Sequence, residues 1–166
     1  LLLSKEDIEE INSRLAKEIN EEFKGEELIV VALLKGGVMF CTDLIKELDI
    51  QVYLDFLTAS SYKNSEQSSG NVEILSDVRV DIKDKNVLIV DDIFDTGYTM
   101  ESIYKYFEIK EPKKLKTCVL LDKPSRRKVD FQVDLIGKEI DDLFVVGYGL
   151  DYEGFYRNTP YIFTFS

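Results

Sequence analysis

The sequence predicts an α/β fold, a twisted parallel sheet flanked by helices. Three observations carry that prediction. "LIVVALL" (28–34) and "VLIV" (87–90) are apolar at every position, as strands buried on both faces are. Between such runs, apolar residues recur at helical spacing. Strands alternating with helices imply right-handed crossovers and parallel pairing. The chain has 166 residues, 45% hydrophobic and 32% charged, which suits one compact domain. No repeat or linker divides it.

The elements follow in order. Ser4 is a good N-cap, with Glu6 and Asp7 in the first turn. Ile8, Ile11, Leu15, Ile19 and Phe23 then form a helical stripe, and Gly25 stops it. Strand 28–34 breaks at Gly36-Gly37. Cys41, Leu44, Ile45 and Leu48 mark a second helix, and "IQVYLDFL" (50–57) alternates like a strand. "TASSYKNSEQSSGN" (58–71) has five serines and no Leu, Ile, Val or Phe, so a mobile loop is expected. "VEIL" and "VRVDI" read as short strands, followed by the buried strand 87–90. Met100, Ile103, Tyr104 and Phe107 stripe the next helix, with Pro112 beyond its end. "KTCVLL" (116–121) is a strand before the basic loop "DKPSRRK". "FQVDLIG" and "FVVGYGL" are further strand candidates.

Composition excludes several function classes. Net charge is −11, which argues against sequence-independent nucleic-acid binding and against adhesion to anionic lipid. No apolar run approaches the roughly 20 residues that span a bilayer. The opening "LLLSKEDIEE" lacks a basic n-region and a small-residue cleavage site, so no signal peptide is expected. Cys41 and Cys118 have apolar neighbours and read as buried small hydrophobes in a cytoplasmic protein. The chain contains no histidine. That removes Ser-His-Asp and Cys-His machinery and HExxH zinc chemistry, and leaves acid–base work to Asp, Glu, Lys or Tyr.

In open α/β sheets ligands sit beyond the carboxyl ends of the strands, at a switch point. The loops after Leu34, Val90 and Leu121 would meet there, and they are the most chemically loaded stretches of the chain. "VLIVDDIFDTGYT" (87–99) runs from a strand through three aspartates into a helix start. A small-residue turn at a helix N-terminus seats phosphate, yet three carboxylates repel it. Read alone, the stretch has rivals. A P-loop NTPase would need GxxxxGK[ST], which is absent. A phosphoacceptor signalling domain also pairs aspartates at a strand end. Asp95 could simply cap the helix, and "KGG" (35–37) could be an ordinary turn.

The whole of "VLIVDDIFDTGYT" resembles the phosphoribosyl-pyrophosphate (PRPP) motif of type I phosphoribosyltransferases, and the likeness extends along nearly the whole chain. The resemblance resolves the clash of charges, because PRPP carries a ribose diol and a 5′-phosphate on one molecule. It implies that Asp91 and Asp92 face the diol. It also implies that Asp95, Thr96, Gly97, Tyr98 and Thr99 seat the phosphate through backbone amides and hydroxyls. "LLKGG" (33–37) is similar to the family's pyrophosphate loop, often with a cis peptide before the lysine. It assigns Lys35, Gly36 and Gly37, with Arg157 of "YRN", to pyrophosphate. "SSYKNSEQSSG" (60–70) is similar to the mobile catalytic loop that closes Ser61-Tyr62 over the site, although its composition equally fits a solvated linker.

"LLDKPSRR" (120–127) is similar to the family's lysine loop, which makes Lys123 the donor to a purine 6-oxo group; Arg126, Arg127 and Lys128 read as a solvated charge run. "FVVGYGLDY" (144–152) is similar to the purine pocket, with Phe144 stacking on the base, the Val145 backbone on its edge and Asp151 near a pyrophosphate-side Mg²⁺. On pattern alone Phe144 and Val145 read as core. The sequence departs from the family at "GKEIDD" (137–142), where "GFEIPD" is usual. The resemblance implies a hypoxanthine-guanine type of reaction with Asp95 as proton acceptor and Lys123 as electrophilic partner. Mg²⁺ is expected on Asp91, Asp92 and Asp151. It further implies a core of about 25–125, a hood built from the N-terminal segment and about 126–166, and a homodimer or homotetramer. Xanthine or a broad set of 6-oxopurines is the alternative substrate range, and a PRPP-sensing RNA-binding regulator is the alternative class.

Overall fold

The computed structural model describes residues 1–61 and 72–165. Its elements are α1 (Lys5–Glu22), β1 (Glu27–Leu34), α2 (Val38–Lys46), β2 (Gln51–Ser61), β3 (Val72–Ser76) and β4 (Asn86–Phe94). These are followed by α3 (Tyr98–Glu108), β5 (Lys114–Asp122), a 3-10 turn (Pro124–Arg126), β6 (Leu135–Glu139), β7 (Val145–Val146) and β8 (Phe163–Thr164).

Six strands form one sheet in the order β3-β2-β1-β4-β5-β6. All pair in parallel except β3, which runs antiparallel to β2. Ten residues separate β2 from β3, fewer than the dozen or so that a parallel crossover needs. Strand order reverses between β1 and β4, which places the loops after these two strands on either side of the crevice.

The apolar runs are buried on both faces because alternate residues feed two cores. Leu28, Val30, Ala32, Leu88, Val90 and Leu120 pack with Ile8, Leu15 and Ile19 of α1 and Phe40 and Leu44 of α2. Ile29, Val31, Leu33, Val87, Ile89 and Val119 pack on the opposite face with Met100, Ile103 and Phe107 of α3. Ser4 closes a capping box with Asp7: Ser4 Oγ accepts from the Asp7 amide and Asp7 accepts from the Ser4 amide. Cys41 and Cys118 are free and fully buried.

Three expectations are corrected. Residues 58–61, read as the start of a loop, continue β2 and pair with β3; an edge ladder tolerates polar side chains because one face meets water. "VRVDI" (78–82) is not a strand. The Arg79 and Val80 amides donate to Asp55 Oδ2 at 2.7 and 3.0 Å, so a carboxylate satisfies them in place of a neighbouring strand. The "FQVDLIG" strand starts only at Leu135, because the Asp134 amide and carboxylate are already bonded to Thr117. The closing strand β8 carried no sequence signal; it pairs with β7. The Leu2 and Leu3 amides donate to the Ile162 carbonyl at 2.8 and 3.0 Å, which brings the two chain ends together.

Candidate active site

β1 and β4 deliver the first two loops. The Leu34–Lys35 peptide is cis. Lys35 is exposed, whereas Gly37 is buried under the end of β4. A Cβ on Gly36 would overlap the Asp92 carboxylate, and one on Gly37 would lie 2.8 Å from the Leu33 carbonyl oxygen. Both positions therefore need glycine for close approach rather than for an unusual backbone angle.

On β4, Asp91 accepts a hydrogen bond from the Asp92 amide at 2.8 Å, and Asp92 accepts one from Ile93 at 2.7 Å. Burial, then the charge of Asp92, hold the Asp91 carboxyl well above the usual carboxylate range. Burial also raises Asp92, against the opposing pull of hydrogen bonds and the Arg157 charge. Among the described residues no cationic side chain forms an ion pair with either acid. The strand ends at Phe94, and Gly97 caps α3 at φ 98°, the left-handed region. Asp95 and Thr96 lie in the turn, and Tyr98 and Thr99 open the helix, whose first amides have no acceptor within the helix. The stretch from Asp91 to Gly97, with Thr99 and Met100, lines a cleft of about 190 Å³. A larger concavity of about 540 Å³ lies at the opposite ends of β1 and β2 and holds none of the sequence-predicted site residues.

The third loop follows β5. Lys123 is 8% exposed, and its amide donates to the Phe94 carbonyl at 3.0 Å, so it lies directly against the end of β4. Its ammonium is 3.7 Å from Asp142 Oδ1. Arg126 Nε donates to Asp95 Oδ1 at 3.2 Å, and its Nη1 is 3.8 Å from Asp142 Oδ2. Arg127 pairs with Asp122, donates to the Asp95 carbonyl at 3.2 Å, and lies 3.6 Å above the Phe94 ring. The Lys128 amide donates to the Thr96 carbonyl at 2.8 Å.

The residues near the C-terminus reach the crevice from the other side. Arg157 donates to the Gly149 carbonyl and sits 3.3 Å from Asp151 Oδ1, while Asp151 Oδ2 accepts from the Gly154 amide at 2.8 Å. A Cβ on Gly149 would overlap the Gly36 carbonyl oxygen. Gly36, Asp92, Gly149, Asp151 and Arg157 thus share one corner. Asp91, Asp92 and Asp151 do not converge into one three-carboxylate cage among the described residues, because Asp151 is engaged with Arg157 and Gly154.

Val145 is buried, as pattern alone suggests, but Phe144 is not: it is 48% exposed. Its ring meets Tyr152 at 6.0 Å and Phe165 at 6.1 Å between centroids. Ser61 ends β2, and Tyr62 lies outside the described residues.

Arg126, Arg127 and Asp142 were missed by sequence reasoning, which left the two arginines in a solvated run. The available signal was charge balance, since the buried Asp122 carboxylate needed a cation. Tyr148 was also missed. Its hydroxyl donates to Asp43 Oδ2 at 2.6 Å and accepts from Asn12 at 3.2 Å, contacts so distant in sequence that no local pattern reports them.

A family model described as a phosphoribosyl transferase domain matches residues 2–153. The chain is 49% identical over 164 residues to a hypoxanthine-guanine phosphoribosyltransferase of Aquifex aeolicus, covering 98% of this chain and 92% of that one. It is 46% identical to the protein of that name from Staphylococcus epidermidis, with 99% and 92% covered. A crystal structure of a hypoxanthine-guanine phosphoribosyltransferase from Bacillus anthracis superposes with a TM-score of 0.96 at 44% identity, covering 99% of this chain and 97% of that one.

Proposed function

Because the chain belongs to the phosphoribosyltransferases, we propose that it moves the 5-phosphoribosyl group of PRPP to N9 of hypoxanthine or guanine. The products are the nucleoside 5′-monophosphate and pyrophosphate, and the role is purine salvage. One juxtaposition carries the reading. The acid pair of β4 abuts the glycine loop of β1, and Asp95 and Lys123 flank the same strand end.

In this reading Asp91 and Asp92 hold the ribose diol. The amides and hydroxyls from Asp95 to Thr99 hold the 5′-phosphate at the start of α3. Lys35, Gly36, Gly37 and Arg157 receive pyrophosphate. The purine lies against Phe144, with its edge on the Val145 backbone and its 6-oxo group on Lys123. Asp95 accepts the purine proton once the glycosidic carbon has parted from pyrophosphate. A carboxylate is a weak base at neutral pH, so late proton transfer suits it.

The donor set fits Mg²⁺. Asp91 and Asp92 are adjacent carboxyls with raised pKa values and no cationic partner among the described residues, and Asp151 faces the pyrophosphate corner. Mg²⁺ takes one or two carboxylates plus substrate oxygens rather than an all-protein cage. When bound, it neutralises charge on the departing pyrophosphate.

The N-terminal segment and residues from about 126 onward form the hood over a core of about 25–125. The protein acts in the cytoplasm as a homodimer or homotetramer; among the described residues no helix is long and apolar enough to cross a membrane.

The test is a spectrophotometric assay with PRPP and Mg²⁺, offering hypoxanthine, guanine, xanthine, adenine and uracil in parallel. Turnover of hypoxanthine or guanine is expected. Turnover of uracil or adenine alone, or of no base, would overturn the reading.

A further inference from the structure

Asp95, Arg126, Asp142 and Lys123 form a row of alternating charge. Arg126 lies 3.2 Å from Asp95 and 3.8 Å from Asp142, and Lys123 lies 3.7 Å from Asp142. Both groups that the proposed reaction needs free, the Asp95 carboxylate and the Lys123 ammonium, are occupied by the protein itself. Asp142 is shared: one oxygen faces Lys123 and the other faces Arg126. The side chains of Asp95, Arg126 and Asp142 are each 40–51% exposed, so these contacts are held weakly. The Lys123–Asp142 contact, at 3.7 Å, is longer than an N–H···O hydrogen bond. A carbonyl oxygen arriving at hydrogen-bonding distance therefore displaces Asp142 from Lys123.

We propose that Arg126 and Asp142 are positioning residues that couple docking of a 6-oxo base to release of Asp95. When Lys123 exchanges Asp142 for the base carbonyl, Asp142 is left with Arg126 as its partner. Arg126 then shifts its hydrogen bonds toward Asp142 and frees Asp95. The 3-10 turn makes the handover local: the Arg126 amide is tied to the Lys123 carbonyl at 3.1 Å, and the neighbouring Arg127 stays clamped to Asp122. Only the Arg126 side chain has to move. The inference rests on the proposed roles of Asp95 and Lys123.

The relay makes a crossed prediction. Without Asp142, Lys123 is free but Arg126 has no alternative to Asp95, so Asp142→Asn lowers kcat more than it raises the KM for base. Without Arg126, Asp95 is free but Asp142 rests wholly on Lys123, so Arg126→Gln raises the KM for base more than it lowers kcat. Each dominant effect is expected at about three- to fivefold, the range of one exposed pair. In the double variant the two losses are sub-multiplicative, since neither carbon chain retains a charge to misplace.

The experiment is steady-state kinetics of the full-length wild type, both single variants and the double variant. Guanine and hypoxanthine are varied at saturating PRPP and Mg²⁺, and thermal melts confirm folding. Losses that fall on kcat for Arg126→Gln and on KM for Asp142→Asn would overturn the relay, as would fully multiplicative losses in the double variant. Wild type that turns over neither base would overturn the reading of function instead.

Discussion

Asp91 and Asp92 stand side by side near the end of a buried strand, and each carboxyl is raised. The folded chain therefore holds the Asp91 proton to higher pH than the unfolded chain does. The resulting cost is absent at low pH and grows as pH rises through the folded pKa. Asp91→Asn should consequently melt higher than wild type near pH 8, by about 2–4 °C for each ~1 kcal/mol gained, and no higher near pH 4, while turnover is lost. Melting curves across pH with an activity assay check both halves; an equal gain at both pH values would exclude the electrostatic cause. For the chemistry, Asp95→Asn should lower kcat by ~10²–10⁴ with PRPP binding retained. Lys123→Ala should mainly raise the KM for the base. Pre-steady-state turnover and PRPP titration separate the two. Residues of this kind were proposed from the sequence through the family resemblance of the contiguous "VLIVDDIFDTGYT" and "LLKGG", since neither short run decides its role alone. Asp142 was not, because its meaning lies in two cations from a different loop.

The turn between β4 and α3 is held from outside itself. Arg127 reaches back from the following loop to the Asp95 carbonyl, the Phe94 ring and the buried Asp122 carboxylate. Removing it strands a buried charge, which costs about 3–5 kcal/mol. Arg127→Met should thus lower the melting temperature by roughly 6–20 °C and reduce kcat/KM. Adding Asp122→Leu should recover much of the stability, because the orphaned charge goes with it, but not the activity. Calorimetry and kinetics on the single and double variants test this. Most elements were legible at this scale: α1 from its cap and stripe, β1 and β4 from continuous apolar runs. "VRVDI" failed as a strand for a physical reason, since Asp55 accepts the Arg79 and Val80 amides in place of a strand partner. β2 outran its apolar pattern because its last residues pair at a sheet edge, where burial is not required.

Across the molecule, the corner proposed to receive pyrophosphate is joined by residues far apart in the chain. Tyr148 links Asn12 of α1 and Asp43 of α2 to the strand-to-loop segment that carries Gly149, Asp151 and Arg157. Asn12 Oδ1 already lacks a partner, so Tyr148→Phe leaves the Asn12 side chain wholly unsatisfied, at about 1–3 kcal/mol. The expected outcome is a lower melting temperature with a raised KM for pyrophosphate in the reverse reaction and a smaller change for the purine. Kinetics in both directions would show the asymmetry. The parallel sheet and the meeting of three loops at a switch point followed from the alternation of elements; the strand order did not, and no periodicity discloses a tyrosine that spans three segments.

At Gly36 and Gly149 main chain meets main chain, with no side chain between them. The gap at that corner is thus measured out by two peptide backbones. A side chain added at Gly149 would run into the Gly36 carbonyl and pry the walls apart, and one added at Gly36 would displace the Asp92 carboxylate. A descendant able to expel a bulkier leaving group would have to gain or lose loop residues there, rather than exchange one amino acid for another.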